Sequence, residues 1–164
     1  MSKKNNFVFL SESFHNRYPH FDYPEIELKD NRPHVLICVE IDGVKFAVPM
    51  RSNINHPYVF WTDKDNKCGL DFSKAVVIEK ESYIDSSRIP YIRPNEFKAL
   101  QGKEYEIRKG LKRYIGKYKK AKTKSFAPEK SRLLRFSTLQ YFEEHLDKVP
   151  SLSTKVRPQP LSVA

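Results

Sequence analysis

Arg51, Ser52, Asn53 and His56 lie in one short stretch of chain, and their side chains form a coherent set of reagents. An arginine can clamp a phosphate through parallel N–H donors. A hydroxyl and an amide can donate to the remaining oxygens, and a histidine moves protons near neutral pH. Metal-free cleavage of RNA asks for those services: a neighbouring 2′-hydroxyl must lose its proton and attack, the charge on the crowded phosphorus must be met, and the 5′-oxygen must leave. The same residues also suit an ordinary polar turn in which Ser52 or Asn53 bonds its own backbone. Spacing alone does not decide between the two.

The elements around this stretch are expected to hold it rigidly. Residues 35–41 and 44–48 read as a strand pair joined by Asp42-Gly43, a dipeptide that supplies the positive backbone angles of a tight hairpin turn. The run from His34 to Val39 is apolar on both faces, which predicts a central strand buried from two sides. Pro49 is expected to end the second strand, leaving residues 50–57 as a polar loop hung from it, where sites usually lie. Residues 7–10, 58–61, 75–78 and 133–136 read as further strands, with a charged turn over 62–69.

Helices complete the picture. Ser11 offers a cap for a short helix carrying Phe14 and Tyr18. Asn95 is placed to cap a longer one whose apolar positions Phe97, Leu100, Ile107, Leu111, Tyr114, Ile115 and Tyr118 recur at threes, fours and sevens, with Gly102 weakening its first part. Lys109, Arg113 and Lys120 fall opposite that stripe, and a dense lysine run spans 117–124. Ser137 to Gln140 fits a capping box for a last helix over 138–146, with Phe136 and Tyr141 as its hydrophobic staple. Residues 1–150 thus read as one domain and 151–164, with Pro158 and Pro160, as a loosely ordered tail.

Composition narrows the partner. Of the 164 residues, 30 are Lys or Arg and 20 Asp or Glu, a formal charge of +10 that attracts polyanions. No apolar run approaches the roughly 20 residues of a membrane helix, and the four apolar residues after Asn6 are too few for a signal peptide. A soluble, cytoplasmic chain with no membrane partner is expected. Cys38 and Cys68 support neither a disulfide framework nor a zinc knuckle, and the histidines lack metal-site spacing. No metal and no small-molecule cofactor is called for.

The order of features resembles the ToxN and AbiQ group of type III toxins and their CptN and TenpN relatives. The resemblance covers roughly residues 7–146. It rests on Phe7-Val8-Phe9-Leu10-Ser11, Val39-Glu40-Ile41-Asp42-Gly43-Val44-Lys45-Phe46-Ala47-Val48-Pro49, Gly69-Leu70-Asp71-Phe72-Ser73-Lys74 and Arg135-Phe136-Ser137. It implies an α+β fold, a strongly twisted antiparallel sheet with a barrel-like core similar to the Kid and MazF toxins and flanking helices. It also implies an endoribonuclease held inactive by a repeated, pseudoknotted antitoxin RNA that it processes, toxin and RNA closing into a ring-like assembly.

In that family the strand ending in proline and one apolar residue is followed by threonine, serine, any residue and lysine. The matching positions are Arg51, Ser52, Asn53 and Ile54. Ser52 carries over directly, whereas Arg51 replaces the threonine and Ile54 stands at the lysine. The resemblance then assigns the cation to Arg51 and proton transfer to His56, and a second family lysine matches Arg32.

RNA-backbone contacts are expected from Lys109, Lys112, Arg113, Lys117, Lys119 and Lys120, beside Tyr114 and Tyr118. Lys74 reads equally as a solvated lysine or a phosphate contact, and His20 and His34 read as structural. A non-catalytic nucleic-acid-binding module or repressor explains the same charge and aromatics. An enzyme on a small phosphorylated metabolite ranks last, because no glycine-rich phosphate loop is present.

Overall fold

The structure, a computed structural model, describes residues 7–28, 34–123 and 128–150. Arg32 and the tail 151–164 lie outside the described residues. In chain order the elements are β1 (Phe7–Leu10), α1 (Glu12–Arg17), β2 (Leu36–Ile41), β3 (Val44–Arg51), β4 (Val59–Asp63), β5 (Cys68–Asp71), β6 (Val76–Val77), β7 (Ile84–Asp85), α2 (Pro94–Leu100), α3 (Glu104–Thr123), α4 (Pro128–Phe136) and α5 (Glu143–Leu146).

Local chemistry sets the centre of the sheet. Asp42 and Gly43 take φ of 49° and 83°, the left-handed pair that turns β2 back along β3 in register from Ile41↔Val44 to Leu36↔Pro49. On its other edge β3 pairs first with β6, through Phe46↔Val77, and then with β5, through Met50↔Leu70 and Arg51↔Gly69. Pro49 falls where the partner changes. Met50 N–H donates to Val35 O at 2.8 Å, so the N–H that proline lacks would have faced the gap between β5 and β6. The strand therefore runs through Pro49 instead of ending there, and Arg51 is its last residue.

All ladders are antiparallel, in the order β4-β5-β3-β2-β1-β7 with β6 beside β3. The fold is α+β, but the sheet is open and not the barrel that the resemblance implied. β4 and β7 end the path, and no ladder joins them among the described residues. β7 is a two-residue edge strand.

The core lies under β2, β3 and β6, where Phe46, Ala47 and Val48 are fully buried. α3 covers it with Ile107, Leu111, Tyr114, Ile115 and Tyr118, the stripe expected from their spacing. Each such burial contributes about 1.5–3 kcal/mol. The long helix is in fact two. Gly102, at φ 71°, breaks it between α2 and α3, and Arg93 with Pro94 starts α2 one residue before Asn95.

Residues 133–136 are helical, not a strand. A short apolar run has no period of its own, and this one docks against α3 as the end of α4. Ser137 does cap, its Oγ accepting from Leu139 N–H at 3.1 Å, but the expected helix is divided into a 3-10 turn over Thr138–Tyr141 and the short α5. Gln140 Nε2 donates to Ser137 O at 2.8 Å instead of closing a capping box. Cys38 and Cys68 are unpaired thiols. Among the described residues no helix is long and apolar enough to cross a membrane.

Candidate functional site

The site grows from the end of β3. Arg51 lies opposite Gly69, and a Cβ at 69 would press to 2.7 Å from Val59 Cγ1. The glycine thus lets β4, β5 and the end of β3 close together. Two residues on, Asp71 ends β5 and starts a 3-10 turn over Phe72–Lys74 by accepting Ser73 N–H at 2.9 Å. Its carboxylate is fully buried and has four donors: that N–H, Ser73 Oγ at 2.6 Å, Arg51 Nη1 at 2.5 Å and His56 Nε2 at 3.1 Å. Burial pushes the carboxyl up, but His56, Ser73 and Arg51 outweigh it and hold it below the usual aspartate range.

Arg51 is shared with a second carboxylate. Its Nε and Nη2 reach Glu27 Oε1 and Oε2 at 3.2 and 2.6 Å in a bidentate fork. His34 Nε2 lies 2.9 Å from Glu27 Oε1, and its Nδ1 lies 3.3 Å from Met50 O. The His34 contact, with Arg51 working against the cost of burial, holds the Glu27 carboxyl at about 2. His34, Glu27, Arg51, Asp71 and His56 thus form one connected row.

A group whose folded pKa is depressed stabilises fully above its ordinary value and ceases to as the pH falls through the folded one. For Glu27 that window runs from about 4.5 down to about 2. The thermal unfolding midpoint is expected to fall across it, and Glu27→Gln to flatten that part of the curve. A midpoint curve of unchanged shape in the variant would contradict the network.

Arg51, Ser52 and Asn53 line a cleft of about 860 Å³, within the range of ligand sites. Ser52 and Asn53 are exposed, and Asn53 holds the left-handed φ of 58° that turns the chain away from the strand. Ile54, where the resemblance expects a lysine, is buried and pins the turn, its N–H donating to Lys67 O at 3.1 Å. His56 is outside the cleft lining. Tyr58 N–H donates to its Nδ1 at 3.1 Å, which leaves Nε2 to carry the proton it offers to Asp71. With its ring outside that lining, His56 positions Asp71, which in turn positions Arg51.

The other cleft walls went unnoticed in the sequence. His34, read as structural, lines it together with Arg88, Tyr91, Arg93 and Glu96. The alternation of Arg88, Tyr91 and Arg93 with Pro90 and Pro94 was the available signal. Asp71-Phe72-Ser73 carried another, since aspartate two residues before a serine favours a local cap.

The remaining expected contacts lie elsewhere. Lys74 Nζ is held by Glu25 Oε1 and Phe136 O, both at 3.0 Å. Lys119 donates to Val149 O, a structural bond. Lys109, Arg113, Lys117 and Lys120 are exposed on α3 and Lys112 is half-buried, as an outward cationic face requires, but none of them lines the cleft. No family model, curated protein or solved structure matches the chain.

Proposed function

We propose that the chain is a metal-independent endoribonuclease acting in the cleft at the end of β3. The observation that carries this reading is the convergence there of Arg51, Ser52 and Asn53, with Arg88 and Arg93 on the same walls. An incoming phosphate competes with Glu27 for the Arg51 fork, and the Ser52 hydroxyl and Asn53 amide donate to its other oxygens. His34 takes the proton-transfer role that the resemblance assigned to His56, because it is the histidine of the cleft wall and Glu27 stands behind it. With the ring neutral and its proton on Nε2 toward Glu27, Nδ1 becomes the base once a ribose hydroxyl takes the place of Met50 O, 3.3 Å away.

The 2′-oxygen gives its proton to His34 and attacks phosphorus. The bond from phosphorus to the 5′-oxygen breaks, and that oxygen leaves with the proton that His34 took, so the ring is regenerated and the products are a 2′,3′-cyclic phosphate and a 5′-hydroxyl. Nothing else is consumed. The exposed cations of α3 support a longer RNA partner, and the proposal extends to a type III toxin restrained by a repeated, pseudoknotted antitoxin RNA in a ring-like assembly.

A non-catalytic RNA-binding module is the second reading, favoured by the carboxylates already bound to Arg51 and by the engaged nitrogens of His56. Incubating the purified chain with single-stranded RNA in excess chelator separates the two. Fragments support the enzyme. Intact RNA that is retarded on a gel supports the module.

A further inference from the structure

The segment between β7 and α2, residues 86–93, has no regular structure and carries side chains that a soluble surface normally hides. Ile89 is 94% exposed and Tyr91 75% exposed. Pro90 and Pro94 restrict the residues before them to extended backbone, so the segment is presented as a rib and not as a loose loop. Tyr91 lies between Arg88 and Arg93, and all three line the cleft that holds Arg51.

The two arginines are oriented but not used up. Arg88 commits Nε and Nη2 to Asp85 Oδ2 at 3.3 and 3.2 Å, with its guanidinium 4.5 Å from the centre of the Phe9 ring. Arg93 commits Nε and Nη2 to Glu96 Oε1 at 3.1 and 3.0 Å, and Glu96 is itself buried and bonded by Thr62 Oγ1 at 2.5 Å. In both, Nη1 has no partner among the described residues. The arginine side chains are 50% and 62% exposed. Fixed guanidinium forks suit phosphate, and an exposed phenol face suits an unstacked base.

We propose that this rib is the substrate-selecting subsite of the cleft, taking an unpaired ribonucleotide with its base on the face of Tyr91 and its flanking phosphates on Arg88 and Arg93. The inference rests on the endoribonuclease reading, and it deepens it by naming single-stranded RNA as the substrate class. A base within a duplex is already covered on both faces by its neighbours and cannot offer one to Tyr91. Sequence preference at this position is therefore weak, since every base has a π-face.

The test uses the full chain and a short labelled oligoribonucleotide carrying 2′-O-methyl groups, which binds but cannot be cut, beside the same strand annealed to its complement. Tyr91→Ala is expected to weaken single-strand binding about tenfold and Tyr91→Phe to restore it, with duplex affinity unchanged. Arg88→Gln with Arg93→Gln is expected to lower the slope of log affinity against log salt by about 0.7 for each phosphate no longer neutralised. Single-strand binding by Tyr91→Ala equal to wild type overturns the subsite even if ordinary RNA is cut. Binding that depends on Tyr91, without cutting of ordinary RNA in chelator, keeps the subsite and overturns the nuclease. Failure of the wild type to bind either strand overturns both.

Discussion

Replacing Asp71 by asparagine is expected to lower stability by about 3 kcal/mol, the scale of removing one partner from a buried charge pair. In a chain of this size that is a fall of about 10 °C in the unfolding midpoint. The reason is geometric. The Asp71 carboxylate is fully buried and is the common acceptor for Arg51, His56 and both donors of Ser73. An asparagine presents one oxygen where two are used and turns an N–H₂ toward a guanidinium or an imidazole N–H, so at least one donor is left facing a donor. Glu81→Gln is the contrast. Glu81 pairs with Lys45 at 2.7 Å but is 80% exposed, and its loss is expected to cost less than about 1 kcal/mol. Equal melting shifts in the two variants, read by thermal denaturation, would remove Asp71 from the centre of the site.

The second large effect concerns catalysis. His34→Ala is expected to slow RNA cleavage by about two orders of magnitude or more while RNA affinity stays close to wild type, because a proton-transfer group is lost and the phosphate-binding arginines remain. His56→Ala is expected to lower the unfolding midpoint more than His34→Ala, because Asp71 is fully buried and Glu27 is not, with a loss of cleavage that follows the loosening of Asp71 and Arg51. The contrast arises from where the rings sit. His34 lines the cleft, whereas His56 has one nitrogen on Tyr58 N–H and the other on Asp71. A His56→Ala variant that melts like wild type yet no longer cuts RNA would return the proton-transfer role to His56.

These expectations also mark what the sequence could disclose. The β2–β3 hairpin was readable because its determinant is local, two adjacent residues that accept positive φ. The buried stripe of α3 was readable because helical period is a property of one segment. Residues 133–136 misled because Leu133, Leu134 and Phe136 are too few to express a period, and packing on α3 decided the outcome. Pro49 misled because a proline breaks a ladder only where a partner waits for its N–H, and the gap between β5 and β6 cannot be seen in one strand.

The site divides in the same way. Arg51, Ser52 and Asn53 are neighbours in the chain, so their shared place in the cleft follows from one turn. Glu27 and Asp71 reach Arg51 from sequence separations of 24 and 20 residues, through a loop and a strand pairing that no local pattern specifies. Arg88 reaches the cleft from β7, which pairs with β1, and Arg93 from the start of α2, which packs on β4. The closing of a barrel was likewise a long-range matter, since it requires the edge strands β4 and β7 to pair, which no local pattern specifies.

The most direct test of the proposed chemistry is a single-atom change in the RNA. After the cut position in a short RNA is mapped in chelator, a 2′-deoxyribonucleotide is placed on the 5′ side of that phosphodiester and the digestion repeated. Loss of cutting at that bond alone, with 2′,3′-cyclic phosphate ends at every other cut, is the predicted result. Continued cutting at the deoxy position would contradict attack by the ribose oxygen and with it the roles given to Arg51 and His34.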